Sequence, residues 1–155
     1  MIQRINPYNR RQLKFLYGTR FNAKVMETLY CKEIPEFEQH VEYIQKKDKE
    51  GHLFFIVIDY KLALEGKFYM VGYCQAQCIK ENVWELGWAI HPSVQGQGYG
   101  KRSVQLLLNE LTYMNASSAE LVVQKKNLRA FALYAKCGFV VTETTDDSWR
   151  MSISL

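Results

Sequence analysis

Three glycines fall within five residues of the stretch HPSVQGQGYGKRSVQLLLNEL, at Gly96, Gly98 and Gly100, directly before an amphipathic run. A helix that starts there leaves its first N–H groups unpaired, and its dipole adds partial positive charge. Glycine removes the Cβ and lets an anion approach the backbone. The turn from Gln95 through Gly96, Gln97, Gly98, Tyr99 and Gly100 to Lys101 is therefore a candidate cradle for a pyrophosphate, with Lys101 and Arg102 adding charge. It matches neither the Walker loop GxxxxGK[ST] nor the dinucleotide spacing GxGxxG. Standing alone, such a turn is usually only a turn.

A second segment, NLRAFALYAKCGF, separates Asn127 from Tyr134 by seven residues. On a helix that spacing returns to nearly the same face, about 10 Å along the axis. Two polar groups placed so can flank an extended ligand arm; the plainer reading is a helix cap and a half-buried tyrosine.

The elements that must hold these residues follow from periodicity. MIQRI is a short strand, and a helical stretch runs from about Asn9 to Tyr30. Phe37, Val41 and Ile44 repeat at helical spacing after Pro35, and Gly51 stops that helix. Strands are expected over residues 53–59 and 67–80, with a turn at 60–67 between them. ENVWELGWAIHP continues the meander past a tight turn at Glu81-Asn82. The helix after the glycines carries the stripe Val104, Leu107, Leu108, Leu111 and Met114. A strand at 119–126, a helix at 127–138 capped by Asn127 and closed by Gly138, and a final strand pair complete the chain. No linker or repeat interrupts this order, so residues 1–155 are expected to form a single α/β domain.

Composition narrows the class further. Hydrophobic residues make up 48% and aromatics 14%, which suits a folded core and excludes a low-complexity chain. No apolar run approaches the ~20 residues of a membrane span, and the N-terminus has no signal-peptide core. A cytoplasmic protein with reduced thiols is expected: Cys31, Cys74, Cys78 and Cys137 form no disulfide framework, and Cys74 and Cys78 read as small buried hydrophobes. No metal site is expected, because neither zinc-like spacing nor a neighbouring histidine accompanies them. A net charge of +4 suits an anionic ligand but gives no basic stripe with interleaved aromatics, so no nucleic-acid role is expected.

Together the two motifs resemble the GNAT acetyltransferase superfamily. Its phosphate signature, Gln or Arg, two residues, Gly, one residue, Gly or Ala, is met by Gln95, Gly98 and Gly100. Its later motif N-x-x-A-x-x-x-Y-x-x-x-G-F is met by Asn127, Ala130, Tyr134, Gly138 and Phe139. The resemblance covers residues 83 to 141 well, and residues 1 to 50 only in outline. It implies a mixed, mostly antiparallel sheet of about six or seven strands with about four flanking helices, and acetyl-CoA as cosubstrate. By the same resemblance the backbone of Gln95 to Lys101 holds the pyrophosphate. The strand end Trp88, Ala89 and Ile90 pairs with the pantetheine arm, Asn127 contacts that arm, Phe131 packs near it, and Tyr134 sits by the sulfur as general acid.

The base is less settled at this level. The acidic residue common in the family falls at Trp84 here, with Glu85 one position later on the opposite strand face. Either a bulge turns Glu85 into the site as catalytic base, or it is a structural carboxylate. The resemblance implies an N-acetyltransferase acting on a primary amine, with a small low-pKa acceptor such as an amino sugar placed first. A ribosomal-protein type N-terminal acetyltransferase and a non-catalytic acyl-CoA-binding domain are the alternatives. Phe21, Tyr30 and Phe37 are candidate acceptor-pocket residues, with core packing as the other reading; a monomer or homodimer is expected.

Overall fold

A computed structural model describes the whole chain except Tyr30, Cys31 and Phe68. Seven strands form one sheet: β1 (Ile2–Arg4), β2 (Leu53–Ile58), β3 (Met70–Lys80), β4 (Val83–Ile90), β5 (Ser118–Gln124), β6 (Val140–Thr144) and β7 (Ser148–Ser154), in the order β1-β2-β3-β4-β5-β7-β6. Only β4 and β5 run parallel; every other neighbouring pair is antiparallel. The helices are α1 (Arg10–Arg20), α2 (Ala23–Met26), α3 (Phe37–Lys49), α4 (Tyr60–Leu64), α5 (Tyr99–Tyr113) and α6 (Leu128–Lys136).

The strand β2, LFFIVI, is buried along its whole length because both sheet faces are covered. Leu53, Phe55 and Val57 join a core with α5, β5 and β7, centred on Leu107, Leu111, Leu121 and Met151. Phe54, Ile56 and Ile58 point the other way, into Leu13 and Leu16 of α1 and Val41 and Ile44 of α3. Each fully buried aliphatic side chain contributes about 1.5–3 kcal/mol. The two cores clamp the sheet, and β4 contributes to both: Leu86 to the first and Ala89 to the second.

Several local expectations change. The helical stretch at 9–30 is two helices, because Asn22 is extended at φ −64°, ψ 135° and its side chain accepts a bond from Lys24 N at 3.1 Å. That is an N-cap, which restarts the chain as α2. Residues 60–67 contain the helix α4 rather than a plain turn, since the Asp59 carboxylate accepts from Lys61 N and Leu62 N at 2.8 and 3.1 Å. With these, six α-helices are described where about four were expected. β3 begins at Met70 and β5 ends at Gln124, shorter than their sequence spans. In α5 the stripe Val104, Leu107, Leu108 and Leu111 is buried, but Met114 is the C-cap and lies 43% exposed. Cys78 is exposed, not a buried hydrophobe, because β3 runs out past its cover from Gln77 to Lys80. Cys74 is buried as expected, and Cys31 lies outside the described residues.

Candidate functional site

The parallel pair β4–β5 holds only from Val83 to Glu85 against Ser118 to Glu120. β5 is paired to β7 on its other edge over its whole length and β4 to β3 as far as Ile90, but past Glu85 the two strands no longer pair with each other. The edge of β4 from Leu86 to Ile90 on the β5 side therefore has no strand partner, and only the Ile90 carbonyl is taken there by a side chain, that of Gln95. A cleft of about 550 Å³ opens at this gap. Trp88, Leu133 and Tyr134 line it on the α5–α6 side, and Lys24 and Val25 of α2 with Thr28 just after it on the other.

At one end stands the glycine turn. Gly96 and Gly98 adopt φ of +85° and +86°, a region that other residues enter at a cost. Gly98 is the N-cap of α5 and brings no side-chain cap bond, so the helix presents uncapped N–H groups to the cleft. The side chain of Gln95 is spent on the scaffold: its Nε2 donates to the carbonyl of Ile90 at 3.0 Å, tying turn to strand. Tyr99 donates its hydroxyl to Asp59, fixing the turn to the start of α4. That bond, with those from Leu62 N and Lys61 N, holds the Asp59 carboxyl below its ordinary range.

Lys24, Lys101, Arg129 and Lys136 line the cleft, and among the described residues no carboxylate does. Arg129, on the first turn of α6, reaches the glycine turn: its Nη2 lies 3.6 Å from where a Cβ on Gly96 would stand. Leu133 packs 3.2 Å from the corresponding position on Gly100, which brings α5 and α6 together at that glycine. Uncapped N–H groups, a positive dipole end and four cations form a surface fitted to a polyanion.

Tyr134 sits deeper. Its ring packs against Trp88 at 5.5 Å between centroids and against Phe139 at 6.0 Å. Burial first, then the neighbouring Cys137 and Tyr73, pushes its phenol well above the ordinary value, so it keeps its proton through neutral pH. Cys137 is also raised by burial, against a smaller opposing effect of Lys101, and stays a thiol, a poor nucleophile. Trp88 brings a buried indole N–H with no acceptor among the described residues.

Trp88, Ala89, Ile90, Gln95, Gly96, Gly98, Tyr99, Gly100, Lys101, Asn127 and Tyr134 thus come together around one cleft. Gln97, Phe131 and Glu85 do not line it. Gln97 is exposed in the turn, and Phe131 faces Trp149 of β7 at 4.5 Å. Asn127 caps α6, accepting from Ala130 N at 3.2 Å, with the rest of its amide toward the cleft. Glu85 falls on the strand face opposite Trp88, since residues 84 to 90 of β4 pair in unbroken register with no bulge. Arg150 of β7 ties it to Glu120, at 3.4 and 3.1 Å respectively. Phe21 and Phe37 pack on Tyr17, at 4.9 and 5.5 Å, within the α1–α3 interface, and Tyr30 lies outside the described residues. Lys24, Val25, Thr28 and Lys136 join the cleft without a motif to mark them; only the fold brings α2 across from α6.

The chain matches the family model for the Acetyltransferase (GNAT) family over residues 22–139. It belongs to that family, an acyltransferase class with acetyl-CoA as cosubstrate. Among solved structures, spermidine N-acetyltransferase from Vibrio cholerae in complex with CoA and spermine is similar at TM-score 0.85 and 22% identity, covering 99% of this chain and 94% of that one. A domain from Methanocaldococcus jannaschii is similar at TM-score 0.81 and 22% identity, covering 100% and 97%. Ribosomal-protein-alanine N-acetyltransferase from Brucella melitensis follows at TM-score 0.79 and 15% identity, covering 100% and 99%. No curated protein is similar enough to the chain to count as a match. No described helix is long and apolar enough to cross a membrane.

Proposed function

We propose that this chain transfers the acetyl group of acetyl-CoA directly to the primary amine of a small molecule, with an amino sugar as the preferred class of acceptor. The observation that carries the reading is the convergence on one cleft of an uncapped helix start, an open strand edge and a protonated tyrosine. The bound cosubstrate supplies the activated acyl group. The turn Gln95–Lys101, with Arg129, holds its phosphates, and the free edge of β4 pairs with its extended arm as an added strand. Backbone N–H groups on that edge stabilise the oxyanion that forms as the amine attacks. Tyr134 gives its proton to the departing thiolate, and no covalent bond to the enzyme is needed. The nitrogen releases one proton to solvent as the amide forms, and the tyrosinate takes a proton back from solvent.

The acceptor follows from the base. Glu85 is engaged by Arg150, and among the described residues no carboxylate lines the cleft, so the amine must lose its proton at little cost. At pH 7 an alkyl amine of pKa ~10.4 costs about 4.6 kcal/mol to deprotonate, and an amine near ~8 about 1.4 kcal/mol. That difference of about 3 kcal/mol favours amino sugars and α-amino groups over alkyl amines. A cytoplasmic setting suits the free thiols Cys74, Cys78 and Cys137. The test is thiol release from acetyl-CoA with amino sugars, N-terminal peptides and polyamines at pH 7. Highest kcat/KM on amino sugars is expected; preference for polyamines overturns the acceptor class, and absence of thiol release with every amine overturns the enzyme reading.

A further inference from the structure

Arg20, the last residue of α1, stands on the β4 face opposite Tyr134 and is half-buried. Its Nη1 lies 3.4 Å from Oε1 of Gln75, its guanidinium carbon 5.8 Å from the centre of the Phe21 ring, and Tyr73 and His40 feel its charge. Arg4, Arg10 and Arg150 each reach a carboxylate; among the described residues Arg11, Arg20, Arg102 and Arg129 do not, and of these four Arg20 alone is half-buried. Its place is specific. Gln75 pairs with Gly87, and its side chain lies 3.4 Å from where a Cβ on Gly87 would be. Gly87 comes two residues after Glu85, the last residue of β4 paired to β5, so it lies where the gap opens. Lys24, on the next helix, lines the cleft from the same side. Glu85, on this face too, is held by Arg150.

We propose that Arg20 binds an anionic group on the acceptor, so that the acceptor is a primary amine that also carries a carboxylate or a phosphate. This rests on the acetyltransferase reading above and narrows it. A half-buried guanidinium has given up part of its hydration without gaining an anion, and its planar fork suits either group through paired N–H bonds. Bound there, the anion holds one end of the acceptor at the mouth of the gap while the amine reaches in toward the thioester.

Matched acceptors test it: glucosamine against glucosamine 6-phosphate, alanine amide against alanine, and spermidine. The anionic member of at least one pair is expected to lead by about 10–100-fold in kcat/KM, the range of a hydrogen-bonded charged contact; the pair that responds tells phosphate from carboxylate. In Arg20→Gln that preference should collapse toward one with the KM for acetyl-CoA unmoved, and Arg20→Lys should restore part of it. Equal use of both members of each pair, preference for spermidine, or an equal loss on both members in Arg20→Gln overturns the proposal. If CoA binds but no amine releases thiol, the acetyltransferase reading has failed by itself. Calorimetric binding of the same amines to the CoA-loaded protein then decides: tighter binding of the anionic member, lost in Arg20→Gln, upholds the role of Arg20, and binding indifferent to that substitution overturns it.

Discussion

Acid should loosen the corner that carries Arg20, and the size of the effect can be worked from His40. This histidine of α3 is 2% exposed and lies among the rings of Tyr17, Phe21 and Tyr43, at 5.5, 5.3 and 6.1 Å. Its Nε2 has no partner among the described residues. Burial, with a smaller repulsion from Arg20, lowers its pKa from 6.5 to about 4. The neutral form is thus favoured in the fold, and the unfolded chain takes up the proton first as pH falls. Stability is complete above pH 6.5, declines as pH drops below it, and the His40 contribution is gone below about 4. At ~1.36 kcal/mol per pH unit the loss is at most about 3.4 kcal/mol, and solvent relaxation brings it nearer 2–3 kcal/mol. That is a large share of the ~8 kcal/mol expected for a domain of this size. Urea unfolding of the wild type and His40→Phe between pH 7 and 4.5 measures it. The phenylalanine changes absolute stability through packing, but it should flatten the pH slope by about 1 kcal/mol per unit around pH 5–6. Parallel profiles for the two proteins, or a His40 titration near 6.5 by NMR, would refute the reasoning.

Other outcomes follow from the cleft. Tyr134→Phe should lower kcat by about 10²–10⁴ with the KM for acetyl-CoA nearly unchanged, because the ring packing stays and the proton is lost; steady-state kinetics with the best acceptor checks it. A Cβ on Gly98 meets nothing within 4 Å, so substitution acts through the +86° backbone and the approach of phosphate, not through protein packing. Gly98→Ala should weaken CoA binding by about 5–30-fold, the equivalent of ~1–2 kcal/mol of left-handed strain, and calorimetry of the folded variant reads it. Glu85→Gln should leave kcat within about threefold at pH 7, since Arg150 already engages the carboxylate; a hundredfold loss would make Glu85 the base.

The glycine turn and the helix face of Asn127 and Tyr134 were legible in the sequence because their geometry is local. Glycines at φ +85° and +86° are demanded by a turn of a few residues, and the i, i+7 spacing is set by the helix itself. The gap at β4–β5 was not, since it depends on where two strands some thirty-five residues apart in sequence cease to pair. Asn22 and Asp59 carried cap signals that broke one expected helix and made another, yet each competes with equally good readings until packing chooses. Phe131 shows the limit most plainly. Its motif position put it beside the ligand arm, and Trp149 of β7, an element later in the chain, took its ring instead. Glu85 and Arg20 belong to the same class. Alternation assigns Glu85 to a strand face and helical spacing assigns Arg20 to a helix face, but neither says that Arg150 will reach the one or that, among the described residues, no carboxylate will meet the other. Those pairings join residues 55 to 65 apart, and only the folded sheet brings them within reach.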